Sequence, residues 1–109
     1  MVAPVARPPA RHEIPEVDEA ALVAGRLAER ALAEARERGN ERWERYLAPL
    51  PDRLRDDPPP SLRAAARLIR AAFGPKDSIR DALPADVTEP LLAATDRLLK
   101  VLARRDAQR

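Results

Sequence analysis

From Leu62 onward the apolar positions fall at Leu62, Ala65, Ala66, Ile69, Ala72 and Phe73, in steps of three and four. That spacing puts them on one face of a helix. Ser61 precedes the run and is placed to supply an N-cap oxygen. Gly74 and Pro75 follow it, the first expected to stop the helix in a left-handed conformation and the second unable to continue one. A second run, Leu91, Leu92, Ala94, Thr95, Leu98, Leu99, Val101 and Leu102, is wide and leucine-rich. It predicts a helix buried on more than one side. Asp86 or Thr88 can cap it, and Pro90 is expected in its first turn, where a missing N–H is not needed. These two helices, Ser61–Phe73 and Thr88–Arg104, form the expected core.

Upstream, Val17, Ala20, Ala21, Ala24, Leu27, Ala28, Ala31 and Ala35 mark a third stripe, nearly all alanine, which lets another helix approach closely. Gly39 and Asn40 favour a C-terminal cap, yet Glu41–Leu47 resumes a helical composition. Carrying a helix through Gly39 costs only about 1 kcal/mol relative to alanine. The expectation is one helix over Val17–Leu47, continuous or kinked, with a break at Gly39 as the alternative. Trp43, Tyr46 and Leu47 then share a face, and the two aromatic rings either close the end of the core or anchor a partner. Pro49–Pro60 is expected to be a connector in which Asp52 caps one turn, Leu50 and Leu54 tuck inward, and three prolines make a stiff spacer. Asp77 or Ser78 can cap a short helix over Asp77–Leu83.

The fold class that follows is all-α: a small antiparallel bundle of three main helices plus a short one. Residues 1–16, with four prolines and little to bury, form an extended arm in front of a single helical domain over residues 17–109. The expected core is Leu27, Ala31, Trp43, Leu62, Ile69, Phe73, Ile79, Leu83, Leu91, Leu98 and Leu102.

Composition narrows the chemistry. In 109 residues there is no Cys and a single His, His12, in the arm. No disulfide framework and no thiolate or Glu-x-x-His metal site is expected. Three Gly in all make a phosphate cradle a poor expectation. The carboxylate pairs Asp77/Asp81, Asp86/Glu89 and Asp56/Asp57 sit where turns and caps want acids, so no catalytic residue, cofactor or metal is assigned. No apolar run of about 18 residues is present and no secretory h-region, so neither a membrane nor export is expected and a cytoplasmic home is. Abundant Ala, Arg and Pro with few Lys suggests a GC-rich coding bias and a bacterial source.

Charge is spread unevenly. Residues 17–52 hold 6 basic and 8 acidic side chains, a balance of −2, whereas residues 53–109 hold 12 and 8, a balance of +4. Arg63, Arg67 and Arg70 form a ridge opposite the apolar stripe. Without interleaved aromatics, single-stranded nucleic acid is disfavoured. The segment 64–83 has the outline of a helix-turn-helix, but Arg70 stands where a small residue is wanted and Arg80 where a buried aliphatic is. DNA-binding regulation is therefore the alternative. The first expectation is a non-enzymatic interaction module, an adaptor, accessory subunit or regulator that binds another protein or a second copy of itself. Trp43 and Tyr46 are the candidate anchors, and Arg63, Arg67 and Arg70 the charged rim.

Overall fold

The computed structural model describes residues 9–107, and every regular element among them is helical. A 3-10 turn at Arg11–Glu13 leads into α1 (Pro15–Glu37), followed by α2 (Glu41–Leu47), α3 (Leu50–Asp56), α4 (Pro59–Ala71), α5 (Ile79–Ala82) and α6 (Ala85–Ala107). The helices form a bundle around one aliphatic core. α1 packs against α6, α3 and α2, and α4 packs against α6 and α3.

The first expected helix is broken. α1 ends in a Schellman motif: the Asn40 N–H reaches the Ala35 carbonyl (2.9 Å) and the Gly39 N–H reaches that of Arg36 (3.1 Å). Gly39 has φ +66°, which suits a residue without a Cβ. Asn40 then caps α2, its side chain accepting from the Trp43 N–H at 3.2 Å. Two complementary end signals outweigh the small cost that a mid-helix glycine would have carried.

Prolines start helices here more than they space them. Pro49 and Pro58 occupy the N-caps of α3 and α4, and Pro51, Pro59 and Pro60 fall in first turns, where no amide is required. α4 thus begins before Ser61, which is not its cap. Leu50 and Leu54 are buried as expected, but on a two-turn helix capped by Pro49 and not by Asp52. Gly74 is not the left-handed residue after α4; that is Asp77, with φ 51°, and Ser78 caps α5 by accepting from the Arg80 N–H at 3.1 Å.

α6 starts three residues earlier than expected, at Ala85, which places Asp86 and Thr88 inside it and Pro90 beyond its first turn. Pro90 cannot supply the amide that the Asp86 carbonyl would otherwise receive. Thr88 is fully buried and its hydroxyl has no partner among the described residues. Thr95, on the same helix, returns its hydroxyl to the Leu91 carbonyl (2.7 Å). The equivalent acceptor for Thr88 is the Pro84 carbonyl, and it already takes the N–H groups of Val87 and Thr88 (3.0 and 3.1 Å).

All of the expected core residues are buried except Leu27, which is half-buried. Residues 1–8 of the expected arm lie outside the described residues. The part that is described is anchored at Arg11 and Ile14. Ile14 is buried, and the Arg11 side chain, 12% exposed, donates to the Asp18 carboxylate at 2.8 Å and to the Leu54 carbonyl at 2.6 Å. α1 begins at Pro15, within the span expected of the arm.

Candidate interaction surface

Trp43 is buried, 5% exposed, and its ring meets Tyr46 edge-on with centroids 5.2 Å apart. Arg42 lies over the Trp43 ring at 5.0 Å. Tyr46 is half-buried and its hydroxyl donates to the Leu68 carbonyl on α4. Burial raises the pKa of that hydroxyl above its usual value. The pair therefore ties α2 to α4. Leu47, on the same face, is wholly buried.

The three arginines of α4 divide between two tasks. Arg63 pairs with Asp106 and Arg70 with Asp96 (3.2 Å), both across to α6. Arg67 is exposed and has no acidic partner among the described residues. The ridge is thus partly a seam between helices, and one of its cations points outward.

Beside Arg67 lies a feature that the sequence reading passed over. Ala64, Arg67, Leu68 and Ala71 are all exposed and recur at i, i+3, i+4 and i+7. They form a second stripe on α4, diametrically opposite the buried one. Leu68 is the large hydrophobic side chain left most open among the described residues, at 43%. Small alanines one turn to either side of it leave it standing as a knob. The signal was available, since Leu68 does not fit the register of Leu62, Ala65 and Ile69.

Of the carboxylate pairs weighed for catalysis, Asp86/Glu89 and Asp56/Asp57 are held by arginines, while Asp77 and Asp81 are exposed to solvent. Arg80 holds Glu89 through two bonds (2.8 and 3.0 Å) and keeps its pKa below the usual range. Arg55 does the same for Asp56. Asp86 meets Arg30 at 3.2 Å, and Asp57 meets Arg53 at 3.1 Å. Partners that favour the ionised form are the reverse of what a general acid needs near neutral pH. Among the described residues no group of three or more His, Cys, Asp or Glu is arranged to hold a metal ion, and no helix is long and apolar enough to cross a membrane.

The would-be recognition helix of the DNA-binding alternative is α5, a single turn of four residues. Arg80, its central cation, is engaged by Glu89 and lies over the Phe73 ring at 5.4 Å.

No family model matches the chain, and neither the curated proteins nor the solved structures compared with it include a match.

Proposed function

We propose that this protein is a small non-enzymatic interaction module, an adaptor, accessory subunit or regulator, and that the outward face of α4 meets its partner. The observation that carries the reading is the exposed stripe Ala64, Arg67, Leu68 and Ala71. An apolar knob between small residues on a rigid helix is a common means of helix-to-helix docking. Trp43 and Tyr46 support this surface from behind, because Tyr46 fixes the Leu68 backbone. Arg67 forms its charged rim, while Arg63 and Arg70 hold α4 on α6.

We read the supporting bundle as α1 and α4 each running antiparallel to α6. The order of the ion pairs supports this: Glu16 meets Arg104 while Arg30 meets Asp86, and Arg63 meets Asp106 while Arg70 meets Asp96. The single turn of α5 argues against the DNA-binding alternative, since a recognition helix must lie along a groove.

The test is the double change Arg67→Glu with Leu68→Ser. Both side chains are exposed, so stability should move by no more than about 0.5 kcal/mol and helicity should stay constant. Wild-type protein, tagged and recovered from a nuclease-treated lysate of its own cells, should carry a stoichiometric protein partner that the double variant loses. Retention of that partner by the variant, or a wild type that recovers nothing and runs as a monomer, would overturn the reading. Material lost on nuclease treatment would turn the question back to DNA.

A further inference from the structure

At one end of the bundle the lead-in to α1, α1 itself, α4 and α6 converge. Ile14, Val17, Pro59 and Leu102 line a cleft of about 240 Å³, and Arg63 and Arg105 stand at its edge. A smaller extension of about 100 Å³ runs along α6 past Val101 to Arg104. The wall made by the lead-in is fixed in advance, because Arg11 anchors it to Asp18 and to the end of α3. A cleft already shaped spares a ligand the cost of ordering it.

Its lining carries two cations and one anion, Arg63 and Arg105 with Asp106. Arg63 faces Asp106, and Arg104 faces Glu16 at 3.3 Å, but Arg105 has no acidic partner among the described residues. Asp106 is itself about half exposed, so an incoming anion can displace it from Arg63. An apolar floor with guanidinium groups at one edge complements a molecule that is apolar along its length and anionic at one end.

We propose that this cleft binds a medium-chain carboxylate, with the acyl chain against Ile14, Pro59, Pro60 and Leu102 and the carboxylate on Arg105 and Arg63. The volume suits a short acyl chain and is too small for a docked helix. Other occupants have the wrong charge. Met1–Pro8 of this chain carries Arg7 and no acid, and a second copy turning the same cleft inward would set arginines against arginines. The proposal goes beyond the interaction reading and does not depend on it, because none of these residues belongs to the outward face of α4.

Octanoate titrated into the full-length, nitrogen-labelled protein tests it, with octanol and acetate as companion probes. Amide shifts should saturate and cluster at Ile14, Val17, Arg63, Leu102 and Arg105. Octanol should bind about tenfold more weakly for want of the charge-assisted contact, and acetate should not saturate. Arg105→Gln, an exposed change, should weaken octanoate about tenfold and leave octanol unaffected. Leu68→Ser should change neither, which separates failure here from failure of the α4 reading. Shifts scattered over the surface, equal binding of octanol and octanoate, or indifference to Arg105→Gln would each overturn the proposal.

Discussion

α1 and α4 both pack on α6, yet they bury different mixtures of side chain. α1 turns Ala20, Ala21, Ala24, Ala28, Ala31 and Ala35 inward, with Val17 and Leu32 its only larger buried side chains, and at Gly25 it has no side chain at all. α4 relies on Leu62 and Ile69 with Ala65 and Ala66 between them. The small stripe works by proximity: it lets α6, α3 and α2 come close enough for their own leucines to fill the space. The larger stripe works by volume. The outward faces differ accordingly. α1 is wrapped by three helices and shows charged residues to water, whereas α4, covered on one side, keeps an apolar stripe outside. A core thin in large residues can be stable when one helix is a spacer and another a filler, but the two then fail under opposite changes.

The largest expected effect comes from emptying the filler. Ile69 is wholly buried, so Ile69→Ala should cost about 3 kcal/mol in denaturant unfolding, the usual scale for a large-to-small core change. Overfilling the spacer comes next. Ala28 is equally buried, and Ala28→Leu should cost about 2 kcal/mol by pushing α1 off its neighbours. If Ala28→Leu were neutral, α1 would not be closely packed and the contrast would collapse.

Gly25→Ala gives a finer reading of the same helix. A Cβ there would lie 3.4 Å from the Leu54 Cβ and 3.5 Å from the Pro51 carbonyl oxygen, which is ordinary contact. Alanine also favours the helix by up to about 1 kcal/mol over glycine. A net gain of about 0.5 kcal/mol is expected, so the spacer should tolerate one methyl where it refuses an isobutyl group.

The smallest effect concerns pH. Glu89 and Asp56 have pKa values lowered by Arg80 and Arg55, so their contribution is present above the ordinary carboxylate range and is lost as pH falls below that range through the lowered values. Both pairs are at the surface and screened, so the loss is minor. The penalties of Ile69→Ala and Ala28→Leu, being matters of packing, should match at neutral pH and at pH 5 in paired denaturant melts. Glu89→Gln should flatten only part of the acid-side slope.

The pattern of apolar residues carried most of the core, because a helix face is written into the sequence at a spacing of three and four. Buried positions from Val17 to Leu102 follow it, and Leu27 strays only to half-burial. Helix ends were harder. Gly39 and Asn40 announced their break, but an isolated propensity cost made it look optional; only the paired Schellman bonds and the Asn40 cap decide it. The prolines at 58–60 suggest a stiff spacer from the sequence; what makes them a helix start is Pro59 being buried, which is tertiary information. The same holds for the arginine ridge. Spacing put Arg63, Arg67 and Arg70 on one side of α4, but whether each meets an acid depends on where α6 lies. Arg11 gave no local sign of its role, since its acceptors on α3 are 43 residues or more away in the chain.

Pro90 gives α6 an uneven resistance to opening. The turns before it lack one rung of their ladder and sit over the buried Thr88 hydroxyl, which has no partner among the described residues. The turns after it are unbroken and carry Leu91, Leu98 and Leu102 into the core. In native-state hydrogen exchange the helix is therefore two units. The stretch from Ala85 to Glu89 trades its amide protons through local fraying, while the amides from Leu91 to Leu102 wait for the whole protein to unfold.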